Sequence, residues 1–214
     1  MTTKTVNFLT SSTQNPLTNN GGAGYWLNAN SSNGTVKNTN GSGVNGATQT
    51  TPYNEIYLWD SANYAFAAGA QTSQITLGAI NSFDLMGCTV LGSGTTAFNG
   101  YALYVLQSTD WAVAKFVSGA LTQLSSSTPN TAFAQGDVWE LVYTPGASNQ
   151  LTVYQNGVIV TAGTTTDATY RSGQPGIYYS DQSSNLSFIA AWQGTDTFSS
   201  TASQNFYLST DDYS

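Results

Sequence analysis

Residues 136–176 read GDVWELVYTPGASNQLTVYQNGVIVTAGTTTDATYRSGQPG, and this stretch decides the fold class. In its first segment, GDVWELVYT, large apolar residues fall on alternate positions at Trp139, Leu141 and Tyr143. A period of two residues predicts a half-buried β-strand. Pro145-Gly146 then predicts the end of that strand.

The middle of the stretch predicts a β-hairpin. Leu151 and Val153 resume the alternation, and Asn156-Gly157 separates LTVYQ from VIVTA. A two-residue hairpin turn needs positive φ angles, which Asn and Gly adopt at low cost. The segment therefore predicts two antiparallel strands joined by a tight turn.

The end of the stretch carries a resemblance to a known family. The order of GD, an apolar strand, a turn, LTVYQNG, a second strand and DATYRSGQPG resembles the concanavalin A-like jelly-roll superfamily, which includes laminin-G and glucanase-like sandwiches. The residues that match its last part are Asp167, Thr169, Tyr170, Ser172, Gly173, Pro175 and Gly176. More weakly, 62–80 and 100–121 resemble earlier strands of that family. The resemblance implies a two-sheet antiparallel jelly-roll sandwich.

The remainder of the chain agrees with an all-β fold in one domain of 214 residues. Short apolar segments separated by turn signals recur from Tyr53 to Phe206, as in a β-sandwich. We therefore predict a sandwich domain over 53–214. Residues 1–52 are rich in Thr, Asn, Gly and Ser, and Tyr25-Trp26-Leu27 is an isolated apolar cluster there. This segment could be disordered, but its low charge and its aromatic anchor favour loops packed on the sandwich or an extended arm.

The charge balance excludes some partners. Charged residues make up 7% of the chain, and the net charge is -7. A phosphate backbone would be repelled, so no nucleic acid is expected to bind. No apolar run approaches the ~20 residues of a membrane-spanning helix, so no membrane insertion is expected. The exterior is predicted to be polar and nearly uncharged.

Catalytic residues are scarce. The chain has no histidine, which excludes Ser/His/Asp and Cys/His nucleophile systems and imidazole zinc sites within this polypeptide. The glucanase resemblance would require several carboxylates alternating along one strand, but the glutamates are only Glu55 and Glu140. Tyr57 and Trp59 follow Glu55 on the same face, and Glu140 falls where a sandwich strand points outward. We predict that the protein is not an enzyme and uses no cofactor.

Calcium follows only from the resemblance, which implies oxygen ligands at one rim of the sandwich. The family's acidic pair in the last strand corresponds to Ala190-Ala191, so half of that site is missing. Four aspartates could still meet backbone carbonyls, although turn capping is their more ordinary role: Asp60, Asp167, Asp181 and Asp196. We predict no metal site and leave calcium open. Cys88 stands alone and is predicted to be a buried small apolar residue.

Aromatic residues are the candidate glycan-binding residues. Sugars stack their C–H faces on Trp and Tyr, and amides and carboxylates accept their hydroxyls. Trp111, Tyr178 and Tyr179 are the first candidates, with the alternative that each lies in the core or at a subunit contact. Three other tryptophans within apolar strands are predicted to be core: Trp59, Trp139 and Trp192.

The composition favours a structural role. The uncharged exterior, the unmatched N-terminal segment and the absence of a secretion signal in MTTKTVNFLTSST predict a non-enzymatic virion protein, such as a phage capsid decoration, fibre or tail-surface component. Its expected partners are other virion proteins, copies of itself and host surface glycans, with a location on the virion surface after assembly in the host cytoplasm. The alternative is a free extracellular lectin or carbohydrate-binding module. A degenerate glucanase without its carboxylates is a third reading.

Overall fold

The structure is a computed structural model that describes residues 3–7, 26–31, 36–38, 44–46, 53–59, 69–79, 85–94, 97–106, 110–181 and 188–196. Every regular element in these residues is a β-strand. No helix long and apolar enough to cross a membrane occurs in this part of the chain. Short strands separated by turn residues are what the alternating apolar pattern predicts.

The strands of the described residues follow one another along the whole chain. In order they are β1 (Thr3–Asn7), β2 (Trp26–Ser31), β3 (Val36–Asn38), β4 (Val44–Gly46), β5 (Tyr53–Trp59), β6 (Gln71–Ala79), β7 (Leu85–Ser93), β8 (Asn99–Leu106), β9 (Asp110–Val117), β10 (Ala120–Ser127), β11 (Val138–Thr144), β12 (Gln150–Gln155), β13 (Val158–Thr166), β14 (Gln174–Asp181) and β15 (Phe188–Thr195).

These strands form two antiparallel sheets. The eight-stranded sheet has the order β13-β12-β11-β6-β15-β4-β3, with β1 paired to β15, and the seven-stranded sheet has the order β10-β9-β8-β7-β14-β5-β2. Neighbours such as β11 and β6, or β14 and β7, are distant in sequence, so the chain crosses repeatedly between the sheets. The predicted two-sheet antiparallel jelly-roll sandwich is confirmed.

The stretch that decides the fold forms the predicted hairpin. β12 pairs with β11 on one side and β13 on the other. Asn156 and Gly157 form the turn with φ angles of 52° and 78°. The Asn156 side chain also fixes the next strand over, because its Oδ1 accepts the Val138 N–H at 2.8 Å. The Asn-Gly pair therefore supplies both the positive φ angles and a tie to β11.

The main core lies between the sheets. Alternate residues of the central strands point inward, including Ile75 and Leu141 from the eight-stranded sheet and Leu103 from the seven-stranded sheet. Trp139 and Trp192 are 0% and 1% exposed, which confirms both as core residues, whereas the Trp59 side chain lies outside the described residues. A buried apolar layer of this kind is the main source of stability in a two-sheet sandwich.

Cys88 also lies in this core, as predicted, and its thiol is free. Its S–H donates to the Ser73 carbonyl oxygen at 3.0 Å. Burial raises the pKa of the Cys88 thiol far above its ordinary value. The residue therefore behaves as a small apolar group and not as a nucleophile.

The seven-stranded sheet is apolar on its outer face as well. Tyr104, Phe116 and Tyr178 belong to a second buried cluster, and they alternate along their strands with residues of the main core. β7 and β9 accordingly read as near-continuous apolar runs, in contrast to the alternating β11. A strand that is buried on both faces loses its period of two.

Segments from the first part of the chain join both sheets. β1 pairs with β15, β2 pairs with β5, and β3 and β4 extend the eight-stranded sheet. The interpretation of the rest of 1–52 as loops or an arm falls outside the described residues. The division into 1–52 and 53–214 stays a prediction.

Candidate functional site

The structure places the three residues predicted to bind glycans in the interior. Trp111 and Tyr179 belong to the main core and are both 0% exposed. Tyr178 is 1% exposed in the outer cluster, with its ring 5.6 Å from Tyr104 and 6.1 Å from Phe116. None of the three offers a ring face to a sugar in this arrangement. Their role as glycan-binding residues stays a prediction, and their burial speaks against it.

The outer face of the eight-stranded sheet is polar, in contrast to the outer face of the other sheet. Glu140 on β11 lies opposite Tyr154 on β12 and opposite Gln74 on β6. Gln193 on β15 follows Gln74, and Thr5 on β1 follows Gln193. Paired residues of an antiparallel sheet project to the same side. These side chains therefore form one unbroken row across five strands, and we name the surface around it the Glu140 face.

A second row of the Glu140 face runs beside the first, on the same side of it in every strand and two residues away. It is formed by Thr152, Val142, Thr72, Thr195 and Thr3. Val142, Thr72 and Thr152 are buried, at 2%, 8% and 7% exposure, although they point away from the core. This row therefore consists of short side chains that end in methyl and hydroxyl groups, beside the longer Glu, Gln and Tyr side chains of the first row.

Glu140 is the electrostatic centre of this surface. It is half-buried, and burial raises the pKa of its carboxyl to about 6. The nearest residues on its own strand and face are Val138 and Val142, which offer no hydrogen bond. Among the described residues no hydrogen bond or ion pair to this carboxylate is found. Glu140 is thus a partly desolvated acceptor whose capacity is unused within the described structure.

The surroundings of Glu140 do not match the two-carboxylate arrangement of glycoside hydrolysis. That chemistry needs a second carboxyl group within roughly 5–9 Å. The described positions around Glu140 hold Tyr154, Gln74 and aliphatic side chains instead. Glu55 lies on β5, in the other sheet. What this surface can do chemically is accept and donate hydrogen bonds beside an aromatic ring.

Of the four aspartates considered for calcium, the structure describes the side chains of Asp167 and Asp196. Within the described residues no group of acidic and Cys side chains converges as a metal site would require. Asp60 and the Asp181 side chain lie outside those residues, Asp196 is buried, and Ala190-Ala191 lies on β15. Whether calcium binds stays open at the residues that are not described.

Asp167 instead anchors a loop. It accepts hydrogen bonds from Tyr101 Oη at 2.7 Å, Lys115 Nζ at 2.6 Å and the Thr169 N–H at 2.8 Å. Tyr170 completes the attachment by donating its hydroxyl to the Phe116 carbonyl at 2.7 Å. Burial acts to raise the pKa of Asp167, but the hydrogen bonds, that of Lys115 foremost, hold it well below its usual range. The motif DATYRSGQPG is therefore structural here, and Asp167 caps its own turn as predicted.

A hollow of about 390 Å³ lies beside the β12–β13 hairpin. Val158 and Ile159 line it and are 60% and 51% exposed. Its amides are already used internally: Asn130 Nδ2 donates to the Ile159 carbonyl at 3.1 Å, and Gln155 Oε1 accepts the Thr131 N–H at 3.1 Å. Since these polar groups are satisfied, the hollow is a weaker binding candidate than the Glu140 face.

The sequence alone indicated only part of the Glu140 face. The outward direction of Glu140 follows from the alternation in β11 and is confirmed. Gln74, Tyr154 and Gln193 were missed, because β6 and β15 are separated from β11 by long stretches of chain. The one available signal was the alternation of polar residues in QTSQITL with the inward-facing Ile75 and Leu77.

Comparisons with known proteins bear on the fold. No protein-family model matches the chain, and no curated protein is similar to it in sequence. Among solved structures, the carbohydrate-binding module CBM66 from Bacillus subtilis is 17% identical, with 78% of this chain and 94% of that chain covered and a TM-score of 0.52. A legume lectin-like domain from Entamoeba histolytica is 12% identical, with 81% and 91% covered and a TM-score of 0.54.

A third similar structure is the exoplasmic/lumenal domain of VIP36, solved in a form bound to calcium and mannose. It is 10% identical, with 87% of this chain and 92% of that chain covered and a TM-score of 0.56. Identities this low establish a shared fold and nothing finer. The jelly-roll fold implied by the resemblance to the concanavalin A-like superfamily is confirmed, and the likeness to phage proteins is not shown.

Proposed function

We propose that this chain is a non-catalytic carbohydrate-binding module and that its ligand lies on the Glu140 face. The observation that carries the proposal is the unbroken row of Tyr154, Glu140, Gln74 and Gln193, in which a half-buried carboxylate has no described partner. This corresponds to the alternative weighed from the sequence, a lectin or carbohydrate-binding module.

The chemistry of the row suits a sugar. Each glutamine amide can donate and accept, and the Glu140 carboxylate accepts from two neighbouring hydroxyls, so adjacent O–H groups of one ring can be bound together. Tyr154 lies beside them and offers an aromatic ring to sugar C–H groups. The spacing of neighbouring strands, about 4.8 Å, lets two adjacent groups of the row contact the same sugar unit, and the whole row from Tyr154 to Gln193 spans roughly 14 Å, the length of a short oligosaccharide.

Proteins of similar fold support the class of ligand. The similar structures are a carbohydrate-binding module, a legume lectin-like domain and a lumenal domain with bound mannose. Together with the described geometry around Glu140, they favour binding over hydrolysis.

The virion role stays a prediction. No observation on the described residues bears on assembly with virion proteins, on self-association or on a virion-surface location. A carbohydrate-binding module could be displayed on such a particle, and the proposal for the Glu140 face does not depend on where it is displayed.

The test is glycan binding with a matched pair of variants. The full chain is screened on a glycan array, and its best ligand is measured by calorimetry against Gln74→Ala and against Gln123→Ala. Gln123 is an exposed glutamine on β10 of the other sheet. We expect about tenfold weaker binding or more for Gln74→Ala, equivalent to about 1.4 kcal/mol, and unchanged binding for Gln123→Ala. No binding of any glycan at millimolar concentration, or equal affinities for both variants, would contradict the proposal.

A further inference from the structure

The described side chains of the Glu140 face carry negative charge and no positive charge. The described side chains around Glu140 are uncharged on its own strand and on five further strands of the sheet: Val138 and Val142 on β11, Thr152 and Tyr154 on β12, Ile159 and Thr164 on β13, Thr72, Gln74 and Thr76 on β6, Ala191, Gln193 and Thr195 on β15, and Thr3 and Thr5 on β1. Tyr154 is the one other titratable group among them, and burial raises its pKa, so it is neutral at physiological pH. Glu140 is therefore the sole charge among the described side chains of this face.

Three of the four cations of the chain have described side chains, and these three lie elsewhere; Lys37 is on β3, at the far end of the same sheet from β11, and its side chain lies outside the described residues. Lys4 alternates with Thr3 and Thr5 and so points to the other side of β1. Lys115, on β9 of the seven-stranded sheet, is bound to Asp167, 2.6 Å away. Arg171 influences the pKa of Tyr143 but not that of Glu140. No described positive charge is thus placed to balance an anionic ligand on the Glu140 face.

We propose that the Glu140 face selects neutral or amine-bearing glycans and rejects glycans that carry a carboxylate or sulfate at the contacting sugar, an inference that rests on the proposed function. A partly desolvated carboxylate without a partner is stabilised by hydrogen-bond donors and by positive charge. Sugar hydroxyls and ammonium groups supply them, whereas ionised carboxylates and sulfates supply acceptors and a like charge.

The size of the discrimination follows from Coulomb's law. Two like charges about 4–5 Å apart near a protein surface repel strongly enough to weaken binding about 100-fold or more. Salt screens part of this repulsion, since the Debye length is about 10 Å at 0.1 M and about 3 Å at 1 M. Neutral glycans have no such term, so their binding should depend little on salt.

The test uses oligosaccharides matched in backbone and different in charge. Glucose, galactose and mannose oligomers are each compared in neutral, uronate and amino forms by calorimetry with the full chain at low salt and neutral pH. We expect the preferred series to bind in its neutral and amino forms and at least about 30-fold more weakly in its uronate form. Raising the salt to about 1 M should shrink that ratio.

Two variants with the same change of net charge separate this selectivity from a general effect. Glu140→Gln should bring the ratio of the uronate Kd to the neutral Kd to within about threefold. Asp110→Asn, at an exposed residue that begins β9 of the other sheet, should leave this ratio as in the wild type. Because burial raises the pKa of Glu140 to about 6, the ratio of the uronate Kd to the neutral Kd for the wild type should decrease as the pH is lowered from about 8 to about 5.

The outcomes distinguish the two proposals. If wild-type protein binds uronates as tightly as neutral forms, or if Glu140→Gln keeps the full discrimination, the charge selectivity is wrong and the proposed function stands. If no oligomer binds in any form and the array is also negative, both are wrong.

Discussion

The charge on Glu140 should lower the free energy of unfolding at neutral pH. Replacing it by Gln keeps the shape and one acceptor oxygen, turns the other acceptor into an NH₂ donor, and removes the charge from a half-buried position. We therefore expect Glu140→Gln to be more stable than the wild type above pH 6. A substitution that stabilises while removing a binding group is the usual sign of a residue retained for function.

The magnitude follows from the pKa of Glu140, which burial raises from 4.5 to about 6. At about 1.4 kcal/mol per pKa unit, this corresponds to roughly 2 kcal/mol at most. The sign is fixed by proton binding, because the folded state holds the proton more tightly than the unfolded state. The penalty is absent below pH 4.5, grows between pH 4.5 and 6, and is complete above that range. For a chain of this length the gain corresponds to a Tm rise of about 4–8 °C.

The assay is urea unfolding of both proteins at pH 4, 5, 6, 7 and 8, followed by tryptophan fluorescence. Asp167→Asn is the control of opposite sign, because the pKa of Asp167 is lowered in the folded state. That variant should be less stable than the wild type by a nearly constant amount from pH 5 to pH 8, because a deficit of this kind shrinks only below the ordinary pKa range of an aspartate. If Glu140→Gln is no more stable at pH 8, or if its gain is the same at pH 4, Glu140 is not a desolvated, unpartnered carboxylate.

The other predictions concern the framework. Trp192→Phe should cost more stability than Trp139→Phe, by about 1–2 kcal/mol in chemical denaturation, because Trp192 Nε1 donates toward Ser73 Oγ and the Gly176 carbonyl at 3.0 and 3.1 Å, while the buried Trp139 Nε1 has no hydrogen-bond partner among the described residues; equal costs would refute this. Asn130→Ala should produce concentration-dependent association in sedimentation, because Asn130 occupies the Ile159 carbonyl and the Thr161 N–H on the end strand β13; a strictly monomeric variant at all concentrations would show that the edge needs no such cover. Cys88 should react with a thiol reagent at the rate of global unfolding, and rapid labelling of the folded protein would contradict its burial.

The part of the fold that could be predicted from the sequence is local. Alternation in GDVWELVYT and the Asn-Gly turn give β11 to β13 with the correct inward faces, because these signals depend on neighbours close in the chain. The pairing of β11 with β6, more than sixty residues away, carries no comparable local signal. The assignment of the jelly roll therefore depended on the resemblance, and the fold comparisons confirm it.

The site was harder to predict for the same reason. Trp111, Tyr178 and Tyr179 were chosen because sugars stack on aromatic rings, but the seven-stranded sheet is apolar on both faces and places aromatic residues in two buried layers. Sequence does not distinguish an aromatic residue that faces solvent from one on the covered outer face of a sheet. The row around Glu140 exists only after β6, β11, β12 and β15 are set side by side.

The most direct test of a glycan-binding Glu140 face is an NMR titration of isotope-labelled protein with the best neutral oligosaccharide from the array. The predicted result is chemical-shift change concentrated at Gln74, Glu140, Tyr154 and Gln193, with the residues around Trp111 and Tyr178 unaffected. Shifts that cluster instead on the hollow at Val158 and Ile159, or on the loop at Asp167, would contradict the assignment of the binding surface.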